Sequence, residues 1–286
     1  MTVYLNGRYL PLEEARVSIL DRGFNYGDAV FETLRAYGGV IFRLDLHLER
    51  FQRGAEGIFL NLPETPERLK DIVYETLRRN SCPDAMIRMT LTRGEGVPGK
   101  MWASGLSPTL AVHVRPHQPP PEEWYRKGVQ ISLIPDAAVK FAGLSQQVKS
   151  ANYLNQILAR KTAEDHRSAE AVLLNPGKEV CDGTVSNIFA VRGGELWTPE
   201  INAYVLAGIT RQTVLDLARD LSIPCHEKTF PAEDLFQADE IFLTNTGWEL
   251  LPVTRVDEQI VGTGKPGPVT QTLHGEFLKS VDAIRG

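Results

Sequence analysis

The chain has 286 residues, a formal net charge of −5 and a sequence pI of about 5.8, which removes the usual electrostatic ground for a nucleic-acid or anionic-membrane partner. Hydrophobic residues make up 42% and charged residues 23%, so disordered and fibrous classes are excluded. That length suits two domains or one large α/β unit, and a small-molecule partner is the expectation.

Val3-Tyr4-Leu5, the turn Asn6-Gly7 and Arg8-Tyr9-Leu10 predict an opening hairpin. A second strand pair is expected from Ala29–Tyr37, the Gly38-Gly39 turn and Val40-Ile41-Phe42. Leu44, Leu48, Phe51 and Ala55 recur at helical spacing across 44–57, with His47, Glu49, Arg50 and Arg53 on the polar side. Residues 66–80 predict a second amphipathic helix and 85–92 a strand ending at Arg93-Gly94. Strand 109–114 then runs into Arg115-Pro116-His117-Gln118-Pro119-Pro120-Pro121, a stiff extended stretch that cannot enter a sheet interior. It sets the expected boundaries: a small domain over 1–115, a linker over 116–124 and a large domain over 125–286. Beyond it, strands are expected at 129–134, 170–174, 179–191, 195–198 and 240–244, and helices at 150–166, 208–221 and 270–281. Helices and strands mix without strict alternation, so the fold class is α+β.

No run approaches the ~20 apolar residues that cross a bilayer. Residues 1–7 lack the basic-then-apolar order of a signal peptide, so a cytoplasmic protein without a membrane partner is expected. Cys82, Cys181 and Cys225 are far apart, and there is no CxxC pair or histidine cluster, so neither a disulfide framework nor a metal site is expected.

Lys149 stands in Val148-Lys149-Ser150-Ala151-Asn152-Tyr153-Leu154, where a strand-like stretch hands over to a helix. A lysine held at such a junction can lose its proton and add to an aldehyde as a Schiff base; by itself it is also an ordinary surface charge. Leu206-Ala207-Gly208-Ile209-Thr210-Arg211 opens a helix with a glycine, which suits an anion at the free amides and suits a plain N-cap equally. Thr244-Asn245-Thr246-Gly247-Trp248 ends a strand, either as a second clamp on phosphate or carboxylate or as a turn. In a strand, Asp182 shares a face with Val180 while Glu179 points away, so Asp182 is the inward carboxylate and needs a partner. Arg50 reads as a helix-surface residue, paired with Asp45 or Glu49.

Taken in order, several blocks together resemble the class-IV aminotransferases, fold-type IV enzymes that use pyridoxal 5′-phosphate (PLP). They are Asp21-Arg22-Gly23-Phe24-Asn25-Tyr26-Gly27-Asp28 running on to Phe31-Glu32-Thr33, His47-Leu48-Glu49-Arg50, Lys149-Ser150-Ala151-Asn152-Tyr153, Asp182-Gly183-Thr184-Val185-Ser186-Asn187, Gly208-Ile209-Thr210-Arg211 and Thr244-Asn245-Thr246. The resemblance implies a two-domain fold with a barrel-like sheet in the larger domain, and a homodimer with a shared active site. It implies a Schiff base at Lys149, with Arg50, Ile209, Thr210 and Thr246 on the cofactor phosphate and Gly208 opening that turn. Tyr153 would lie by the ring hydroxyl, and Asp182 would pair with the pyridine nitrogen. The family normally has glutamate at that last position, so this carboxylate is one methylene shorter.

Sub-family is open. Branched-chain aminotransferases usually have a tyrosine where Met86 stands, and one more residue between the lysine and the Asn-Tyr pair. The Pro-Arg-x-His carboxylate trap common in D-amino acid aminotransferases does not follow Thr92-Arg93-Gly94. Substrate-carboxylate candidates are Arg35, Arg88 and Arg93; Phe31, Met86 and Trp102 are candidate apolar walls, and Gly247 a further contact. The expected reaction moves an amino group between an amino donor and a 2-oxo acid. An aminodeoxychorismate lyase releasing pyruvate is the alternative, and a PLP-binding protein without turnover the remote one.

Overall fold

The computed structural model describes residues 1–102, 104–138, 148–202 and 204–285. The chain divides into two compact units: one holds 1–118 with 147–152 and 284–286, the other 119–146 with 153–283.

The first unit contains β1 (Thr2–Leu5), β2 (Arg8–Pro11), α1 (Arg22–Tyr26), β3 (Ala29–Tyr37), β4 (Val40–Ile41), α2 (Leu44–Gly57), α3 (Pro66–Arg79), β5 (Ala85–Thr92) and β6 (Thr109–Pro116). Its sheet runs β2-β1-β6-β5-β3-β4 with antiparallel pairings. Strand parity sorts β3 cleanly. Val30, Leu34 and Ala36 enter the core with Leu48 and Phe51 of α2 and Ile72 of α3, while Phe31, Thr33 and Arg35 take the opposite face. Thr65 caps α3 by accepting from the Arg68 amide at 3.2 Å, and Pro66 occupies the first turn, where its missing N–H costs nothing.

The second unit contains α4 (Glu122–Lys127), β7 (Val129–Ile134), α5 (Leu154–Asp165), β8 (Glu170–Leu174), β9 (Val180–Gly183), β10 (Asn187–Arg192), β11 (Glu195–Thr198), α6 (Ile209–Asp220), β12 (Cys225–Glu227), β13 (Glu240–Asn245), β14 (Glu249–Val256), β15 (Gln259–Ile260) and, as far as Ala283, α7 (Pro268–Arg285). Its sheet is mixed, in the order β12-β11-β10-β13-β14-β7-β8-β9 with β15 on β14. Parallel pairs β7/β8, β7/β14 and β11/β12 sit among antiparallel hairpins, and the α+β expectation holds.

Several expected elements have other bounds, the closing helix among them, which spans Pro268–Arg285. The helix anticipated from Ser150 begins at Leu154, because Ser150 bridges Val30 and Asn152 Nδ2 donates to the Gly27 carbonyl at 3.1 Å. Residues 179–191 form two strands, broken where Gly183 N donates to Ser186 O at 2.7 Å. Within the proline-dense stretch, Pro121 is the N-cap of α4. The sequence reading also passed over β14, whose Pro252 lies opposite Phe242 inside the sheet.

Candidate active site

Lys149 is fixed to the edge of β3. Phe31 N donates to Lys149 O at 3.0 Å and Ala151 N to Ala29 O at 2.9 Å, on either side of the Val30–Ser150 bridge. Antiparallel pairing puts Lys149 on the face of Phe31, and its Nζ lies 4.9 Å from that ring's centroid. Arg88, on neighbouring β5, stacks its guanidinium carbon 3.3 Å from the same centroid. Met86 and Arg35 face each other across the β3/β5 ladder, both buried. Thus Phe31, Arg35, Met86, Arg88 and Lys149 lie on one face of one sheet. Arg88 and His113 are cross-strand partners, and burial, followed by the charges of Arg88 and Arg115, holds the His113 imidazole below its ordinary pKa.

On the opposite face of β3, Glu32 overturns the surface reading of α2. His47 and Arg50 are buried, and Arg50 is ion-paired with Glu32. Its Nε and Nη2 each donate to a Glu32 oxygen at 2.7 Å, and His47 Nδ1 lies 2.8 Å from Oε2. Burial opposes ionisation of Glu32, but Arg50 and His47 outweigh it and drive its pKa far below the carboxylate range. For His47 burial dominates over Glu32, and its pKa falls. A neutral imidazole with Nδ1–H donating to Glu32 follows.

Arg93 is corrected as a substrate-binding candidate. Its Nε and Nη2 donate to Asp28 at 2.8 and 2.9 Å, and Nη1 and Nη2 reach the carbonyls of Phe59 and Ile58 at 2.9 and 2.7 Å. Arg22 donates to the same carboxylate at 2.8 Å, so the two arginines clamp Asp28 and brace the loop that follows β5. Trp102 lies 60% exposed, edge-on to Phe59.

In the second unit, Asp182 accepts from Asn187 Nδ2 at 2.8 Å and from the Leu206 amide at 2.6 Å. Asn187 Nδ2 also donates to Leu206 O at 2.9 Å, tying Asp182 to the segment that leads into α6. Gly208 is the α6 N-cap, and among the described residues no side chain caps the amides of that first turn. A Cβ at Gly208 would overlap Asn187 Oδ1, so a side chain there would have to displace the Asn187 amide. Across the sheet from Asn187, the buried Thr244 hydroxyl has no hydrogen-bond partner among the described residues. Uncapped helix amides, an orphaned hydroxyl and an oriented carboxylate fit a phosphorylated cofactor with a protonatable ring nitrogen. Thr246 and Gly247 form the β13–β14 turn, in which Asn245 Oδ1 accepts from the Gly247 and Trp248 amides at 2.8 and 2.6 Å. Tyr153 is the N-cap of α5.

Glu170 was missed in the sequence. It is fully buried in β8 and accepts from Arg160 Nη1 at 2.9 Å, Ser186 Oγ at 3.1 Å and the Thr184 hydroxyl. These contacts fold the turn after Asp182 around a single carboxylate. A lone acid between Ala169 and Ala171 in an apolar strand was the available signal.

The amino-transferase class IV sequence profile matches residues 29–256. A putative branched-chain-amino-acid aminotransferase of Methanocaldococcus jannaschii is 37% identical over 97% of this chain and 95% of its own. D-alanine aminotransferase of Staphylococcus haemolyticus is 34% identical, covering 98% of each. A structure of T.th. branched-chain amino acid aminotransferase, complexed with N-(5′-phosphopyridoxyl)-L-glutamate, has a TM-score of 0.91 and 31% identity over 98% of this chain and 93% of that one. The fold is thus that of the fold-type IV, PLP-using enzymes. The chain belongs to the class IV aminotransferase family, and its chemistry is transamination between an amino acid and a 2-oxo acid.

Proposed function

We propose that this transaminase holds PLP through Lys149, Arg50, Tyr153, Asp182, Gly208, Ile209, Thr210 and Thr246. The observation that carries the reading is the seating of Lys149: its carbonyl accepts from Phe31 N on the edge of β3, which sets the face of the sheet on which the amine lies. Bound PLP supplies an aldehyde and an electron-accepting ring. Asp182, which accepts from Asn187 Nδ2 and the Leu206 amide, would keep the proton on the ring nitrogen. The first-turn amides of α6, the Thr210 hydroxyl and Arg50 take the phosphate, with Thr246 adding a second hydroxyl. Tyr153 would donate to the ring oxygen. With the cofactor bound, Lys149 Nζ would be the group that removes the substrate's α-proton and returns it, acting first as base and then as acid. Arg88, stacked on Phe31, and Arg35 bind the substrate carboxylate, while Phe31 and Met86 form the apolar wall.

A homodimer with a shared active site is part of the same proposal. Phe24, Ile19 and Met101 each expose about three-quarters of their surface, and Leu154, Ile157 and Leu158 leave one face of α5 bare. Apolar faces of this kind suit a second copy of the chain.

Stopped-flow absorbance of the PLP-loaded protein with D- and L-alanine, L-leucine, L-valine and L-glutamate tests the assignment. Conversion to the pyridoxamine form with at least one amine is expected. No conversion with any amine defeats the transaminase reading. Pyruvate release from aminodeoxychorismate without amino transfer supports the lyase instead.

A further inference from the structure

Glu32 is buried, ionised and engaged on both oxygens, and the chemistry assigned to Lys149 does not use it. Arg50 meets it side-on: Nε faces one oxygen and Nη2 the other, while His47 Nδ1 closes on Oε2 at 2.8 Å. A buried pair of this kind adds little net stability over apolar packing, but it fixes a planar guanidinium in position and in plane. The fork engages the Nε–Nη2 edge of Arg50 and so fixes the plane of its guanidinium. His47 stands three residues before Arg50 on α2, so helix and strand both constrain the same carboxylate.

We infer that Glu32 is the positioning residue for Arg50: it aims the guanidinium at the cofactor phosphate, and His47 locks the carboxylate that does so. The inference rests on the assignment of Arg50 to the phosphate. Glu32 touches neither substrate nor cofactor on this reading; it acts through Arg50. Its loss therefore weakens recognition of the phosphate group and leaves recognition of the aldehyde and ring intact.

The test compares PLP with pyridoxal, which lacks the phosphate. Apoprotein of the wild-type chain, Glu32→Gln and Glu32→Asp is titrated with each compound, and Kd is read from near-ultraviolet absorbance; Glu32→Asp keeps the charge and withdraws it by one methylene if the amide variant does not fold. PLP affinity is expected to fall about tenfold in both variants, the equivalent of one charge-assisted hydrogen bond. Pyridoxal affinity is expected to stay within about twofold, less than the loss of any one hydrogen bond. In an Arg50→Gln background Glu32→Gln should add no further loss. Parallel weakening of both compounds, or an additive double variant, overturns the positioning role. A wild-type chain that binds PLP and pyridoxal equally removes the phosphate assignment of Arg50 and the inference with it. A chain that binds neither refutes the proposed cofactor itself.

Discussion

Gly208→Ala isolates the packing that joins Asp182 to the start of α6. Gly208 has φ −67° and ψ 137°, angles that alanine adopts freely, so no backbone strain is introduced. With no other effect, the exchange would stabilise the protein by about 0.4–1 kcal/mol through a less flexible unfolded chain. In the folded unit, however, the new methyl would overlap Asn187 Oδ1 and lie 3.1 Å from Asn187 Cγ and 3.2 Å from Arg211 Cβ. Asn187 must then turn away and release its bonds to Asp182 Oδ1 and Leu206 O. Two lost hydrogen bonds, one to a carboxylate, cost about 2–4 kcal/mol and outweigh the entropic gain. The net loss of about 1–3 kcal/mol corresponds to a fall of roughly 2–10 °C in Tm for a unit of this size. Differential scanning calorimetry of the apoprotein reads it directly. Asn187→Ala removes the obstructing amide, so the double variant should be no less stable than Asn187→Ala alone. A Gly208→Ala protein that melts at or above the wild-type temperature would refute the argument.

Lys149→Ala is expected to lower the half-reaction rate by at least about 10³-fold while the Tm changes little, since the strand pairing uses only backbone atoms; a near-normal rate would move the base elsewhere. For Asp28, burial pushes the pKa up, but Arg93 and Arg22 prevail and hold it below its ordinary value. Its folded pKa therefore lies below its unfolded one, so its contribution is present above about pH 4 and is lost as pH falls through the folded value. Asp28→Asn should cost on the order of 3 kcal/mol at pH 7 and flatten the acid limb of stability against pH; an unchanged limb in urea titrations from pH 7 to pH 3 would count against it. Burial, with Asp182 adding to it, pushes the Cys181 thiol up to about 12, and burial with Glu227 takes Cys225 to about 11. Iodoacetamide at pH 8 should label the partly exposed Cys82 first and leave Cys181 intact until unfolding; peptide mapping that finds Cys181 first would contradict that order.

Local patterns carried most of the element list. Ala29–Tyr37, Leu44–Gly57, Ala85–Thr92 and Glu170–Leu174 fall where the pattern of apolar residues placed them: α2 buries one face, and the apolar run of β8 is buried along its whole length. Pro252 inside β14 hid that strand, since proline normally argues against an interior position. Composition cannot say which polar residues are buried. His47 and Arg50 read as a wet helix face because their partner, Glu32, lies fifteen and eighteen positions away on another element. Arg93 looked like a carboxylate binder for the same reason; Asp28 is sixty-five residues distant.

The amino-acid order by itself determined the chemistry: a lysine, an acid and two turns rich in glycine and hydroxyls, in the sequence of blocks shared by class IV aminotransferases. Only the tertiary structure decided which charges are buried and which partner each meets. Arg50 and Arg93 are alike as residue types, yet one is braced against a carboxylate across β3 and the other is spent on Asp28 and two carbonyls. The physical reason is that a buried charge is tolerated only where its counter-charge and donors arrive with it, and long-range strand and helix packing alone brings them there.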